Sequence, residues 1–454
     1  MPPGRITVIP PASRLIHTPI WQALDAIVAA VFFCLVDIPL FLVFRGRPRP
    51  APGTAYKLMT MPSGVSVDFL DQKRGRTLWE LREHDVNGYF EKVLFVMFPM
   101  PKKSRRIACS SRVDAVEFHP FFGLFYYTTA AWMVFRLSIL CVREKITHLR
   151  VTEGHYLGLI MYMISRATNI PFCLSVQTDF DKYDEMSGGK SKPRIFGSKA
   201  LADRLFRFII RRAYLVFTLS EYLKAYCLKK GAILERVRIV RHAIEDERVQ
   251  IPPERLEHIR NKFQIPRVPA FLYVGRLHLE KGILDLVPIA RHVRSLEPAA
   301  MCIVSGDGED QGRLEEAIDR GGVRDAFKLL GSCSAEEVVA LMRLCEVIFC
   351  PISGFVLIEA ALACGAAVVG YDIEWQRELV DDGRSGFLFP EGKTMEAAEK
   401  IVQLFRDEPL RKTMAKRLRE KAETVHLFPA AYAPRRAFYE ELRTIAPPLC
   451  GAGF

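Results

Sequence analysis

A short apolar run that ends in a glycine and is followed by two cations is the most constraining feature of this sequence. The run covers residues 271–275 and ends at Gly275, and Arg276 and Lys281 follow it. A buried parallel strand that ends in glycine lets the chain turn sharply, so the two cations lie just beyond the strand end. This arrangement predicts a site for a doubly charged phosphate group.

A second anion site is predicted at the start of a helix farther along the chain. Ser353 and Gly354 precede an apolar helical run, so free backbone N–H groups and the positive end of the helix dipole lie there. Glu359 follows about one and a half turns into this helix, where its carboxylate could accept hydrogen bonds from sugar hydroxyls. A nucleotide diphosphate with its ribose would use all of these groups.

The same region carries several motifs in a fixed order. They are Gly275-Arg276-Leu277 with Glu280-Lys281-Gly282, Gly306-Asp307-Gly308, Gly354 to Glu359 with Ala360 and Gly365, Trp375 with Glu378-Leu379-Val380, and Gly386-Phe387-Leu388. These motifs resemble the donor-binding half of family 4 glycosyltransferases of GT-B fold. The resemblance implies that a nucleotide-diphosphate sugar is bound by Gly275, Arg276, Lys281, Gly354, Phe355, Val356 and Glu359. It also implies retention of the anomeric configuration.

One position departs from the family pattern. The family has two glutamates eight positions apart, and counting back from Glu359 places Pro351 where the first glutamate is expected. In the family this acid approaches the donor sugar, whereas the second glutamate lies at the nucleotide ribose. The departure leaves the identity of the transferred sugar open.

Apolar runs alternate with helical stretches from Tyr56 onward, which is typical of a doubly wound α/β domain. The candidate strands are 56–61, 92–98, 113–118, 148–151, 172–176 and 213–218. Residues 121–141 predict an apolar helix that either crosses over and packs on this sheet or rests an aromatic face on a bilayer. The fold class that we expect is therefore GT-B, with two Rossmann-like doubly wound domains facing a central cleft.

Two residues of the first half are candidates for the chemistry. His155 follows a predicted strand, at the edge of the sheet where open α/β sheets bind ligands. A histidine at this place in the family lies by the donor sugar, so His155 could donate a hydrogen bond to that sugar or handle a proton. Asp179 follows the next strand and either orients or deprotonates the acceptor hydroxyl, or caps its loop.

The domain boundaries follow from these elements. We expect a tail and membrane-anchoring helix at 1–52, a Rossmann-like acceptor domain at 53–250, and a nucleotide-sugar donor domain at 268–428. A helix at 429–447 resembles the terminal helix that crosses back to the first domain in this fold. The polar stretch 246–267, which contains three prolines, is the expected interdomain connection.

An N-terminal apolar segment predicts contact with a membrane. As a helix, residues 26–44 would be roughly 28 Å long, near the thickness of a hydrocarbon core. Arg45, Arg47 and Arg49 follow it, which favours a cytoplasmic C-terminal flank. Asp37 and Pro39 disfavour a simple span, so a spanning helix and a re-entrant helix both stay open. A helix of a soluble core is the alternative, and a cleaved signal peptide is disfavoured because no small-residue cleavage site is evident.

The net charge and the cysteine content indicate which partners the protein binds and in which cellular compartment it works. The net charge of +12 favours acidic partners, but no zinc finger or aromatic ribonucleoprotein strand is present, so we expect anionic lipid rather than nucleic acid. The 11 cysteines are scattered without a Cys-x-x-Cys pair, which indicates reduced thiols of a cytoplasmic protein and disfavours zinc.

These observations predict a membrane-associated glycosyltransferase with its catalytic domains in the cytoplasm. It would pass a sugar from a nucleotide-diphosphate donor to a hydroxyl acceptor, for which we expect a lipid-linked saccharide. No cofactor or metal is expected, because enzymes of GT-B fold rarely need one for catalysis. Two alternatives remain, a sugar-nucleotide epimerase of the same architecture and a non-catalytic GT-B-like binding protein.

Overall fold

The computed structural model describes residues 19–44, 47–49, 55–62, 88–97, 105–117, 126–186, 188–189, 198–244, 246–363 and 365–447. The chain divides into two compact units. Unit 1 comprises the chain up to Leu219, the stretch Leu223–Val240 and the chain from Ala433 onward. Unit 2 comprises Ser220–Tyr222 and Arg241–Tyr432. The expected tail before residue 19 and Arg45 lie outside the described residues.

Unit 1 is built on an eight-stranded sheet in the order β3-β4-β2-β1-β5-β6-β7-β8. All neighbouring strands pair in parallel except β3, which pairs antiparallel with β4 at the edge of the sheet. The central strands are short apolar runs buried on both faces, as expected for a parallel sheet covered by helices. The strands are β1 (Lys57–Met61), β2 (Lys92–Met97), β3 (Arg105–Ala108), β4 (Val113–Glu117), β5 (His148–Val151), β6 (Phe172–Val176), β7 (Leu215–Thr218) and β8 (Val237–Ile239).

The helices before unit 2 follow the expected alternation with strands. They are α1 (Pro19–Phe32), a π-helical turn (Phe33–Asp37), α2 (Ile38–Phe44), α3 (Tyr126–Arg143), α4 (Tyr156–Thr168), α5 (Phe180–Met186), α6 (Lys199–Arg212), α7 (Glu221–Lys229) and a 3-10 turn (Leu234–Arg236). Helix α3 is the apolar helix predicted near 121–141. Its residues Met133, Val134, Leu137 and Cys141 belong to the hydrophobic core of unit 1, so it is a crossover helix packed on the sheet.

The N-terminal helix is joined to unit 1 by a carboxylate. Asp25 of α1 is only 2% exposed and accepts hydrogen bonds from the backbone N–H groups of Tyr127 and Thr128, at 2.7 and 2.9 Å. It also accepts a hydrogen bond from the Thr128 hydroxyl at 2.7 Å. The first turn of a helix has N–H groups without an intrahelical partner, so Asp25 caps α3 from a distant part of the chain.

Unit 1 is completed by the last helix, α17 (Phe428–Thr444), of which the part from Ala433 onward belongs to this unit. Tyr439 and Leu442 of this helix are fully buried in the core of unit 1. The ring of His148, in β5, lies edge-on to the Tyr439 ring, and its Nε2 is 3.1 Å from the Tyr439 carbonyl. Its Nδ1 is 2.8 Å from the Thr147 hydroxyl. Both ring nitrogens therefore have a hydrogen-bonding partner within unit 1.

Burial of this histidine predicts an acid-dependent loss of stability. Burial lowers the pKa of His148 from 6.5 to about 3. Between these values the unfolded chain binds a proton that the folded chain does not, so the free energy of unfolding falls as the pH is lowered through this window. One such group contributes a slope of about 1.4 kcal/mol per pH unit. Urea denaturation at several pH values between 7 and 4.5, followed by intrinsic fluorescence, measures it.

His148→Gln is the test variant. His258→Gln is its matched control, because His258 is an exposed histidine of unit 2. His148→Gln is expected to lower stability at neutral pH and to flatten the acid slope. His258→Gln should leave both unchanged. An acid slope in His148→Gln equal to that of the parent protein would contradict the assignment.

Unit 2 is a second α/β unit with a six-stranded, entirely parallel sheet in the order β11-β10-β9-β12-β13-β14. Its strands are β9 (Ala270–Val274), β10 (Met301–Ser305), β11 (Phe327–Leu329), β12 (Val347–Cys350), β13 (Ala367–Tyr371) and β14 (Phe387–Phe389). Its helices are α8 (Asp246–Val249), α9 (Pro253–Lys262), α10 (Leu286–Leu296), α11 (Gln311–Gly321), α12 (Ala335–Leu344), α13 (Phe355–Ala363), α14 (Gln376–Leu379), α15 (Thr394–Arg406) and α16 (Glu408–His426), with 3-10 turns at Leu279–Lys281, Ile283–Asp285 and Arg324–Ala326. Two hydrophobic clusters, one on each face, form its core.

The polar stretch 246–267 is not an extended connection. It forms α8 and α9 within unit 2, and the division between the units falls between Val240 and Arg241. Val249, Ile251 and Ile259 are buried in the core of unit 2. These spaced apolar residues hold the segment on the domain despite its overall polarity.

Candidate active site

The loops after four neighbouring strands of unit 2 meet at one edge of its sheet. Strands β10, β9, β12 and β13 are adjacent and parallel, so their carboxyl ends point the same way, and ligands of open α/β sheets bind at that edge. The loops carry Gly275 to Lys281 after β9, Gly306 to Gly308 after β10, Pro351 to Gly354 after β12, and Asp372 to Trp375 after β13.

Glycines allow the first two loops to lie backbone to backbone. The Gly275 N–H donates to the Ser305 carbonyl at 3.0 Å, and the Leu277 N–H donates to the Asp307 carbonyl at 2.8 Å. Gly306 has a φ of +148°, and a side chain on it would collide with the Gly275 carbonyl. One backbone contact between the loops after β9 and β10 therefore explains the glycines of two sequence motifs, Gly275 and Gly306.

Replacing Gly306 by alanine should disrupt this contact. The new methyl group meets backbone atoms that cannot move aside, so we expect a loss of roughly 1–3 kcal/mol in stability. Gly312→Ala is the matched control, because nothing lies within 4 Å of a side chain added there. Thermal unfolding should show a lower melting temperature for Gly306→Ala and an equal or higher one for Gly312→Ala. Equal melting temperatures for Gly306→Ala and the parent protein would contradict the packing argument.

Arg276 and Lys281, the two predicted cations, lie on one turn, and the side chain of Tyr273 contacts both of its ends. The hydroxyl of the buried Tyr273 is 3.3 Å from the Arg276 carbonyl and 3.4 Å from the Lys281 carbonyl. Arg276 is exposed, whereas Lys281 is partly buried. Burial lowers the pKa of Lys281, the positive charge of Arg276 acts in the same direction, and Glu280 opposes both. The two cations therefore share one turn, on which Arg276 is in water and Lys281 is partly removed from it.

The cation turn also contacts the loop that leads into α13. Gly282 ends this turn with a φ of +66°, and a side chain on it would lie 2.9 Å from Cβ of Pro351. The proline that replaces the family's first glutamate thus packs against the turn that carries Lys281. Ser353 and Gly354 follow Pro351 and precede α13, so the structure brings the cation turn and the start of the helix together.

The remaining predicted donor-site residues lie on α13. Phe355 and Val356 open the helix and are partly exposed. Glu359 is the fifth residue of the helix and is only 5% exposed, so its carboxyl group is largely removed from water. A buried carboxylate is stable when hydrogen-bond donors surround it.

Glu374 is a residue of this edge that sequence reasoning missed. It has a φ of +49°, a conformation that costs a non-glycine residue energy and that is concentrated at functional sites. Its carboxylate accepts a hydrogen bond from the Ser353 hydroxyl and attracts the charge of Lys281. Nothing in the local sequence signals this placement, because it depends on the contact between the β12 and β13 loops.

In unit 1, His155 lies at the carboxyl edge of the sheet between β5 and α4. It is only 1% exposed, and its ring stacks on Phe206 at 5.1 Å and meets Phe180 edge-on at 5.0 Å. Nδ1 of His155 is 2.7 Å from the Glu153 carboxylate, which also accepts hydrogen bonds from the backbone N–H groups of His155 and Leu157. Sequence reasoning missed this role of Glu153.

The pairing with Glu153 fixes what His155 can do. A carboxylate at Nδ1 favours the proton on that nitrogen, so Nε2 of the neutral ring is an acceptor. Nε2 can then accept a hydrogen bond from a sugar hydroxyl, and it donates one only when the ring is charged. The hydrogen-bond donor role expected from the sequence therefore requires the imidazolium form.

Asp179 lies after β6, as predicted, and caps the following helix. Its Oδ1 accepts hydrogen bonds from the backbone N–H groups of Asp181 and Lys182, both at 3.0 Å. Nearby, the buried Lys230 lies 2.6 Å from Asp181 and 2.5 Å from Asp203. Of the two roles that the sequence left open for Asp179, the structure displays the capping contact.

One group of side chains in the described part of the chain could hold a metal ion. The ligand atoms of His278, Glu309 and Asp310 lie within 4.8 Å of one another. The side chain of Glu309 is 80% exposed, and the Leu279 N–H already donates to Asp310 at 3.0 Å. This group belongs to the β9 and β10 loops and does not include Asp179 or Asp181.

Residues 256–421 match the family described as Glycosyl transferases group 1. Residues 256–421 are a group 1 glycosyl transferase domain. This domain contains every donor-site residue predicted from the sequence, from Gly275 to Glu359.

Curated relatives of the group 1 domain are themselves named as sugar transferases. An alpha-D-kanosaminyltransferase of Streptomyces kanamyceticus is 26% identical over 56% of this chain and 66% of its own length. A 2-deoxystreptamine N-acetyl-D-glucosaminyltransferase of Streptomyces fradiae is 28% identical over 55% of this chain and 60% of its own length. This chain thus spans between half and two thirds of the length of these relatives.

Solved structures resemble the chain well beyond the group 1 domain. A sucrose-phosphate synthase from Thermosynechococcus elongatus has a TM-score of 0.71 at 15% identity and covers 86% of this chain and 100% of its own. Anabaena Alr3699/HepE in complex with UDP-glucose has a TM-score of 0.64 at 17% identity and covers 84% of this chain and 98% of its own. With two α/β units built on largely parallel sheets, the predicted GT-B fold class is confirmed.

Proposed function

We propose that this protein is a glycosyltransferase that takes its sugar from a nucleotide-diphosphate donor. The observation that carries the proposal is the convergence of the Arg276 and Lys281 turn with the start of α13, where the Gly282 turn touches Pro351. Relatives that are named as sugar transferases support it, and so does a structural neighbour solved with UDP-glucose. A uridine diphosphate sugar is therefore the first donor to test.

The proposed donor site binds charge at one end and hydroxyl groups at the other. Cleavage of a sugar–phosphate bond leaves negative charge on the departing diphosphate. Arg276, Lys281 and the N–H groups at Gly354 stabilise that charge with fixed donors. Glu359 accepts hydrogen bonds from the ribose, and Phe355 and Val356 contact the nucleotide along the opening turn of α13.

The proposed acceptor chemistry belongs to unit 1. His155, oriented by Glu153, hydrogen-bonds the transferred sugar. Asp179 orients the acceptor hydroxyl, and its capping contact holds the carboxylate in place for this task. Transfer is proposed to proceed with retention of the anomeric configuration, on the strength of the family resemblance.

The proposed acceptor is a lipid-linked saccharide at the cytoplasmic face of a membrane. Residues Gln22–Phe44 form a helix of 23 residues that contains an 18-residue stretch with a mean hydropathy of 2.7, long and apolar enough to cross a membrane. The cysteines that the structure describes are all free thiols, which supports a reducing compartment. Membrane lipids are thus proposed partners, and nucleic acid is not.

Loss of the donor-site cations should reduce turnover strongly. Arg276→Ala and Lys281→Ala each remove a group that stabilises the departing diphosphate, and we expect a fall in kcat on the order of a hundredfold or more. Arg324→Ala is the matched control, because Arg324 is an exposed arginine of unit 2 whose guanidinium pairs with the surface carboxylate of Asp319. Mass spectrometry of products, with a panel of nucleotide sugars and a membrane lipid extract, measures turnover.

The same assay separates the alternatives. Conversion of the nucleotide sugar without any acceptor would identify an epimerase. Binding of a nucleotide sugar by calorimetry without turnover would identify a non-catalytic binding protein, which Pro351 in place of a glutamate makes worth testing. Absence of both binding and turnover across the panel would overturn the donor-site assignment.

We also expect the rate of sugar transfer to be unchanged when a metal chelator is added. Arg276, Lys281 and the helix start supply the positive charge that a divalent cation would otherwise provide, so no metal is proposed for catalysis. Assays with and without EDTA should therefore give the same rate. A chelator-sensitive rate that is restored by a divalent cation and abolished by His278→Ala would instead assign catalysis to the His278, Glu309 and Asp310 group.

A further inference from the structure

The helix formed by α1, the π-helical turn and α2 has two chemically different sides. Every exposed side chain described between residues 20 and 43 is apolar, and several are almost fully exposed, such as Ile20 at 84% and Val43 at 73%. The exposed residues are Ile20, Ala23, Leu24, Ile27, Ala30, Val31, Phe33, Cys34, Leu35, Ile38, Pro39, Leu42 and Val43. Their spacing of three and four residues places them along one side of the helix.

Both carboxylates of this helix are on the opposite, buried side. Asp25 is 2% exposed and Asp37 is 4% exposed. The three hydrogen bonds from the start of α3 to Asp25 fix the rotation of the helix about its axis. Asp37 has no hydrogen-bond partner for either oxygen among the described residues, so its burial comes from packing of the helix on unit 1.

We propose that this helix lies in the plane of a membrane surface, docked on unit 1 by one side and immersed in lipid by the other, and does not span the bilayer. The proposal rests on the membrane association that is part of the proposed function. A spanning helix would have to leave unit 1, which would place both carboxylates in hydrocarbon and remove the cap of α3. When the helix stays docked on unit 1, Asp25 still caps α3 and the apolar side of the helix is still buried in lipid.

Lipid is the occupant that this face fits best. Interfaces between proteins combine apolar contacts with hydrogen bonds, and this face exposes no polar side chain among its described residues. Exposed arginines lie just beyond α2 and on the neighbouring helix α3 instead. Arg47 is exposed just beyond α2, with its guanidinium 5.0 Å from the Phe44 ring centre. Helix α3, on which α1 packs, exposes Arg136 and Arg143 on the side that carries Ile139. Apolar side chains flanked by arginines are the pattern of helices that lie on anionic membranes.

The docked helix is also part of the mature fold. Cleavage after it would remove Asp25, and the first turn of α3 would lose the carboxylate that caps it. An N-terminal sequence determined on the purified protein should therefore retain residues 19–44. A mature chain that begins beyond Phe44 would overturn the proposal.

Topology in sealed vesicles distinguishes an in-plane helix from a spanning one. The full chain carries an epitope tag before residue 1, and protease is added to sealed inside-out membrane vesicles. With the helix in the plane of the surface, the tag and the catalytic units lie on the same side, so protease removes the tag without detergent. A tag that is protected until detergent is added would show a spanning helix and would overturn the proposal while leaving the glycosyltransferase assignment intact.

Two sets of variants test the two sides of the helix. Replacing Leu24, Ile27 and Val31 together by serine should weaken cosedimentation with phosphatidylglycerol-containing vesicles on the order of tenfold or more, because their apolar surface no longer enters lipid. Met395→Ser is the matched control, since Met395 is a comparably exposed apolar residue of unit 2. Asp25→Asn should leave vesicle binding unchanged and lower the melting temperature of the detergent-free protein.

Several other results would contradict the proposal that the helix lies in the plane of the membrane surface. Unchanged vesicle binding by the triple serine variant would overturn the proposal, as would stronger membrane insertion of Asp25→Asn. If the protein binds no vesicles but forms a dimer, and the triple serine variant does not form that dimer, the apolar face is an interface with a second copy of the chain. A fully soluble chain that still transfers sugar would reject membrane association, and with it this proposal, but not the enzyme.

Discussion

The contact between the Gly282 turn and Pro351 is the constraint on which the rest of the donor site depends. It places two loops from adjacent strands so close that a side chain on the first would collide with the second. One loop supplies Lys281 and the other leads into α13, so this contact places the cation turn beside the loop that precedes this helix. The backbone contact of Gly275 and Leu277 with the β10 loop then holds the cation turn from its other side.

The electrostatics of this edge follow from that crowding. Burial lowers the pKa of Lys281, the charge of Arg276 acts in the same direction, and the carboxylates of Glu280 and Glu374 oppose both. The carboxylate of Glu374 lies opposite, bonded to the Ser353 hydroxyl. Pro351 contributes by shape alone, since it fills the space beside Gly282 without any charge.

Much of this structure could be predicted from the sequence, and the reasons differ between elements. Strands β5 and β6 begin and end where the sequence predicted, at residues 148–151 and 172–176, and both are buried on both faces. Strand β3 was missed because it begins with Arg105 and Arg106 and pairs only at the edge of the sheet. The positions of Arg276, Lys281 and Gly354 were predictable because strand-end glycines and helix starts are local features.

The residues that sequence reasoning missed depend on tertiary contacts. Glu153 orients His155 from two positions away, and Glu374 reaches Ser353 from a different loop, so neither role shows in a local pattern. The extent of unit 2 was also misjudged, because α8 and α9 are polar overall and only a few of their side chains reach the core. The buried side of the N-terminal helix was likewise hidden, since the sequence displays Asp25 and Asp37 but not the direction in which they point.

The placement of α17 has a consequence for how the chain is made. Tyr439 and Leu442 complete the core of unit 1, although nearly all of that unit is encoded before residue 241. During vectorial synthesis on the ribosome, the first unit therefore emerges with a gap beside β5 that stays open until the whole of unit 2 has been translated. Unit 2 is continuous apart from three residues and can fold as soon as it emerges, so the first half of the protein to be synthesised is the last to reach its native state.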